Sequence, residues 1–299
     1  MRKQPGAHVS TFLPVALPSF ILSHHNELAI CADIFYVQQI HFLHTISRKI
    51  NFRTASLITG RSKGAILAEI KKVLTLYRSR DFKVMDMHTD LEFKCIQEDI
   101  LPVQLETVGK DDHIGEVERS IQTAKGTAQT TVTGLPFKQW PRQMIIELVA
   151  ACMRFLNQVP SNNGVSDRIS PLTIVASGGR IDVNTLKLEF GSFVHAFEDN
   201  NPTNTNRSRL VEALVLSITT NQSGFYRFLS LCTGKIVCRK QYTVLPMTEL
   251  VIRRVHELAE LEGQPLIRNG CPDFEWGPND PINDGDNEED APEVANDVD

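Results

Sequence analysis

Three apolar, strand-like runs crowd into thirty-two residues near the start of the chain: LAICADIFYV (28–37), IHFLHTIS (40–47) and INFRTASLIT (50–59). The two-residue gaps between them leave room only for hairpins, so the runs read as an antiparallel meander. Helical spacing follows. In SKGAILAEIKKVLTLYRSR, Ile66, Ile70, Val73, Leu74 and Tyr77 fall on one face and the charges on the other. A strand FKVMDMHTD (82–90) and a weaker one, VQLETV (103–108), come next. A meander that passes into β-α-β predicts an α/β (α+β) class, with a mixed sheet flanked by helices.

From Gly115 the pattern turns helical again, with Val117, Ile121 and Ala124 as its apolar stripe. Pro141 suits a first helical position and leads into RQMIIELVAACMRFLN, which is apolar nearly all round. Such a helix must be covered on more than one side, by the core or by a second subunit. Residues 160–185 are loop-rich. Beyond them LEFGSFVHAF, VEALVLSIT, GFYRFLSL and KIVCRKQYTVL read as four strands, the last two joined across Cys232, Thr233 and Gly234. Ile236, Cys238, Tyr242 and Val244 share one face of the last. The expected organisation is an extension (1–24), a core (25–160), a linker (161–187), a small β domain with a helix (188–262) and an acidic tail (263–299).

Charge divides the same way. From Asp273 to Asp299 there are eleven acids and no Lys or Arg, so all 31 basic residues stand against 25 acids in residues 1–272. The tail reads as disordered. No stretch reaches the ~20 apolar residues that span a bilayer. The opening run is broken by Pro14 and Pro18 and lacks a small-residue cleavage site, so no signal peptide is expected. Six cysteines (31, 95, 152, 232, 238, 271) form no CxxC pair, which predicts neither a zinc site nor a disulfide framework.

Three acids stand out of place. Asp33 interrupts an apolar strand, where an ionised carboxylate costs several kcal/mol unless it is paired, at a sheet edge or bound to metal. Asp90 closes the strand 82–90, at the end where α/β sheets present ligands and where helix caps also sit. Asp86 shares its face with His88 and Asp90 and competes for the role. Glu116 and Glu118 lie about 200° apart on a helix, so only one can face a given site. Glu118 shares a face with Gln122 and Lys125.

On these residues the chain resembles a known family. Asp33, Asp90 in HisThrAspLeuGluPhe and Glu118 in GluValGluArg resemble the Asp, Asp, Glu triad of retroviral and retrotransposon integrases, most closely those of copia-type LTR elements. The likeness continues through SDRISPLTIV (166–175), LEFGSFVHAFE (188–198) and LCTGKIVCRKQYTVLPM (231–247), and so spans about residues 25–265. It implies a ribonuclease H-like core and strand transfer, in which a 3′-hydroxyl of element DNA attacks a target phosphodiester. It further implies two Mg²⁺ or Mn²⁺ ions held by Asp33 as bridge, with Asp90 and Glu118 each completing one shell. Three carboxylates brought together without metal repel, which raises the pKa of at least one.

Implied partners are DNA, as element ends and as target, and further copies of the chain; no membrane partner is implied, and the implied location is the nucleus. Between Arg48 and Lys83 there are ten Lys or Arg against Glu69 and Asp81. Arg61, Lys63, Lys71 and Lys72 from that stretch are the expected phosphate contacts, with Arg119 and Lys125 near Glu118 holding the DNA end. Two features depart from the family. Leu91 stands where a small residue is usual, predicting a strained turn, and Gly126 is expected to interrupt the helix bearing Glu118. The zinc-binding module that normally precedes the core is missing, as are protease and reverse transcriptase signatures, so an excised or decayed piece of a polyprotein is expected. A catalytically inactive DNA-binding remnant is the alternative reading.

Overall fold

The computed structural model describes residues 17–108, 115–161, 164–176, 188–197, 209–219, 225–267 and 270–276. A short helix α1 (Ser19–His25) leads into the meander β1 (Glu27–Val37), β2 (Ile40–Ser47) and β3 (Arg53–Leu57). Gln38 and Gln39, both at positive φ (50° and 65°), make the first hairpin, since that backbone twist matches the twist of the flanking strands. Helix α2 (Lys63–Arg78) starts where the Ser62 hydroxyl accepts the Ala65 N–H, and it buries the five residues predicted for its inner face. Strand β4 (Lys83–Asp90) returns parallel to β1. A 3₁₀ helix (Leu91–Ile100) then leads to β5 (Gln104–Val108), parallel to β4. The strand order is β3-β2-β1-β4-β5, antiparallel in the meander and parallel beyond it, which is the expected ribonuclease H-like mixed sheet.

Side chains alternate across β1 and divide the interior in two. Ile30, Ala32 and Ile34 face a cluster with Ile66, Ile70 and Tyr77 of α2. Cys31, Phe35 and Val37 face the other way, toward α3 (Gly115–Val132) and α4 (Arg142–Gln158). Helix α3 runs unbroken through Gly126, which is exposed and has nothing within 4 Å of where a Cβ would stand. The expected interruption is therefore absent; glycine there weakens the helix without ending it. Nor is the turn at Leu91 strained: Asp90 has extended backbone (φ −71°, ψ 164°) and Leu91 simply opens the 3₁₀ helix.

Helix α4 is covered from two sides, as its apolar circumference requires. Asn157 grips the backbone of Arg53 through both amide atoms (2.8 and 2.7 Å). On the other side Glu147, buried, takes a bidentate pair from Arg227 (3.0 and 2.5 Å). Part of the expected linker is the helix α5 (Pro171–Ala176), which packs on α2 and α4.

The second sheet holds β6 (Phe193–Phe197), β7 (Leu210–Ile218), β8 (Tyr226–Ser230), β9 (Ile236–Arg239) and β10 (Tyr242–Val244), in the order β10-β6-β7-β8-β9. The single strand expected over KIVCRKQYTVL is two strands, because β9 pairs with β8 while β10 pairs with β6. Only two residues join them although they lie at opposite ends of the order, so the sheet curls until its edges meet. Tyr242 then packs against Tyr226, ring centres 5.2 Å apart. Inside the curl lie Val194, Ala196, Ala213, Val215 and Phe228. The alternate residues Phe193, Leu214, Leu216 and Leu229 join the α3–α4 core, together with Val251, Val255 and Leu258 of α6 (Glu249–Leu261). The second sheet thus shares one interior with the first.

The chain then returns to its start. Strand β11 (Phe274–Trp276) pairs antiparallel with β1 at Phe35–Val37, and Phe274 stacks on Phe35 at 6.0 Å. The acidic tail expected from residue 263 therefore begins with an ordered segment; its continuation from 277 lies outside the described residues, as do most of the extension 1–24 and residues 177–187 of the linker. No helix among the described residues is long and apolar enough to cross a membrane.

Candidate active site

Asp33 lies on the α3 face of β1, between Cys31 and Phe35. Register does the rest: Cys31 pairs with His88 and Ala32 with Thr89, which sets Asp90 next in line beside Asp33 on a strand ~4.8 Å away. Asp86 pairs with Ala29, four residues back along β4 from Asp90 and so roughly 13 Å from it, out of competition for the same site. Glu118, in the first turn of α3, is near enough for its charge to act on Asp33.

The electrostatics of Asp33 follow from its burial first and from that crowding second. Burial pushes its carboxyl up to about 7, and the charges of Asp90 and Glu118 add to the rise. The Ile34 N–H, donating to Oδ1 at 2.7 Å, and the Arg61 guanidinium oppose it. Asp33 is thus a carboxyl that a nearby cation would readily ionise. Its donors are hard oxygens, which suit Mg²⁺ or Mn²⁺ in kind. Among the described residues, however, no three His, Cys, Asp or Glu side chains draw close enough to form a ready-made ligand set.

Around the acids the surroundings differ from expectation. Arg61 is not a surface phosphate contact. Its side chain is 6% exposed and ion-paired with Glu92, the second residue after Asp90, where it braces the start of the 3₁₀ helix. Lys63 pairs with Asp99 (3.1 Å) and Lys72 with Glu69 (2.5 Å), while Lys71 is exposed. All belong to α2 or the turn before it, and α2 packs on the sheet face opposite Asp33. Arg119 is exposed and lines an open depression with Gly115, Glu118 and Gln122. Lys125 is half-buried, and its charge acts on Cys271, at the entry to β11.

Two networks escaped the sequence reading. Beneath the acids, Arg48 links Glu116 to His88, and His88 Nδ1 donates to Glu106 at 3.0 Å. Burial alone would raise Glu116, but the hydrogen bonds from Arg48 and Cys31 outweigh it and hold its carboxyl below the usual range. Beside Asp33, its cross-strand partner His44 is fully buried. Nδ1 donates to the Thr54 carbonyl (2.7 Å), so Nε2 accepts from Ser120 (2.9 Å), whose oxygen also accepts from Arg53. Burial lowers His44 to about 4, and it stays neutral. Period two marks Cys31 and His88, each two residues before an acid; Arg48, in a turn, carries no such signal.

No family model matches this chain, and no curated protein matches it. Among solved structures, the catalytic core domain of BIV integrase is similar at 13% identity and a TM-score of 0.35, over 50% of this chain and 93% of that one. The HTLV-2 integrase catalytic core domain, solved in complex with magnesium in a trimeric form, is similar at 14% identity and a TM-score of 0.36, over 49% and 95%. Neither likeness says what this chain acts on.

Proposed function

We propose that this chain is the integrase region of a copia-type retroelement polyprotein, and that it joins element DNA 3′-ends to target DNA by metal-dependent phosphoryl transfer. The observation that carries the reading is the alignment of Asp33 with Asp90 on adjacent parallel strands, with the charge of Glu118 close by. Two Mg²⁺ or Mn²⁺ ions, when bound, supply charge stabilisation at the attacking and leaving oxygens. Asp33, central on β1, would be the ligand shared between the ions and would lose its proton to hold them; Asp90 and Glu118 would each hold one. Arg119, exposed beside Glu118 on an open surface, would hold a DNA phosphate. Lys125 lies farther along the same helix and serves DNA only if the segment around Cys271 leaves it accessible. The working form is a homo-oligomer on DNA, in the nucleus.

The test is oligonucleotide joining with Mg²⁺ and with Mn²⁺. Wild-type chain joins, and Asp33→Asn abolishes joining while salt-sensitive DNA binding persists. The second reading, an inactive DNA-binding remnant, draws on the absence of a closed ligand set among the described residues. It prevails if the wild-type chain binds DNA and joins with neither ion.

A further inference from the structure

We propose that Arg48 is a positioning residue: from the β2–β3 turn it ties the first turn of α3 to β1 and β4, and so sets where Glu118 stands relative to Asp33 and Asp90. The inference rests on the metal-site reading above. Its basis is a set of side chains beside the acids. Cys31 and His88 lie one step before Asp33 and Asp90 on their strand faces, Glu116 stands in the same helical turn as Glu118 but about 200° round from it, and the three join one hydrogen-bonded chain through Arg48.

Arg48 is the hub of that chain. Nε and Nη2 donate to Glu116 Oε2 at 3.2 and 2.8 Å, and Nη1 donates to His88 Nε2 at 3.0 Å. The Cys31 thiol donates to the same Glu116 oxygen at 3.4 Å. The base of the hub is itself fixed, because the Arg48 N–H donates to the Ala29 carbonyl of β1 at 2.9 Å. Arg48 therefore touches the three elements that carry the three acids, α3 and β4 through its guanidinium and β1 through its backbone N–H. Among the described residues, Glu116 has no hydrogen-bond partner besides Arg48 and Cys31. A thiol is a weak donor, so the guanidinium fork supplies most of the polar hold on Glu116, while buried Val117 and the Ser120–His44 bond pack the helix itself on the sheet.

The pair is half-exposed, with side chains 38% and 49% accessible, so its loss leaves the fold standing. Its role is geometric. Lysine restores a charge beside Glu116 but, as a point donor, cannot fork to His88 as well. That makes Arg48→Lys the informative companion to Arg48→Met.

The experiment uses the full chain and three readouts: deuterium uptake across residues 115–121 without metal, Mn²⁺ affinity by titration, and kcat and KM for joining. Arg48→Met is expected to speed uptake at 115–121 several-fold and to weaken Mn²⁺ by about tenfold, the usual cost of losing an outer-shell support. It lowers kcat while KM for DNA holds, and Arg48→Lys recovers part of each loss. Unchanged uptake overturns the latch, and faster uptake with unchanged Mn²⁺ affinity overturns the positioning role. A wild-type chain that binds no Mn²⁺ contradicts the metal-site reading instead, and the uptake comparison still decides whether Arg48 holds the helix.

Discussion

Two layers of side chains lie one above the other on the α3 face of the first sheet, and they are built on opposite terms. In the lower layer Cys31, His88 and Glu116 are partnered through Arg48. In the upper layer Asp33 is pushed up to about 7, first by burial and then by two like charges. A folded chain gains nothing in stability from crowding ionised carboxyls, so the upper layer is a cost that a proton or a bound cation would relieve.

Breaking the upper layer has the largest expected effect. Asp33→Asn removes the carboxylate proposed to bridge the ions, and joining should fall by roughly a thousandfold or more, several kcal/mol of transition-state stabilisation. The joining assay measures it directly.

Stability against pH sharpens the contrast next. Between about pH 4 and 7 the folded chain holds a proton on Asp33 that the unfolded chain has released, so stability falls as pH rises through this window, by up to about 4 kcal/mol. His44 acts oppositely. Below pH 6.5 the unfolded chain protonates it while the folded chain resists down to about 4, so stability falls as pH drops, by about 3 kcal/mol. The two slopes oppose each other from about pH 4 to 6.5. Asp33→Asn should therefore unmask a melting temperature that climbs with pH, and His44→Phe one that declines; thermal melts of both variants at matched pH decide it.

Arg61→Ala is of similar size to the His44 effect. It leaves Glu92 largely buried without its cation and is expected to cost about 3 kcal/mol in chemical denaturation. The smallest effect separates the two sheet faces. Arg119→Ala should weaken DNA binding and lower the salt slope by about one, whereas Lys71→Ala with Lys72→Ala, behind the sheet, should leave joining unchanged.

Much of the fold could be read from local pattern. Two-residue gaps forced the meander, and period two put Asp86, His88 and Asp90 on one face of their strand; that Asp33 stands beside Asp90 came only with the β1–β4 register. What escaped depends on contacts between distant segments. Nothing near Lys71 says that α2 packs behind the sheet, because a basic helix face reads the same on either side. Arg61 looked like one more surface cation until its pairing with Glu92 appeared. KIVCRKQYTVL alternates like one strand, and only the curl of the second sheet divides it. The return of Phe274–Trp276 to β1 lies more than 230 residues from its partner, beyond the reach of any periodicity.

The central claim is that the upper layer is a cation site. It is tested most directly by calorimetric titration of Mn²⁺ into wild-type chain and Asp33→Asn at pH 6.5, in buffers of different ionisation heat. The account expects wild-type binding with release of up to one proton, the one that Asp33 surrenders, and weak binding without release in the variant. Equal binding and equal proton release in both would contradict it.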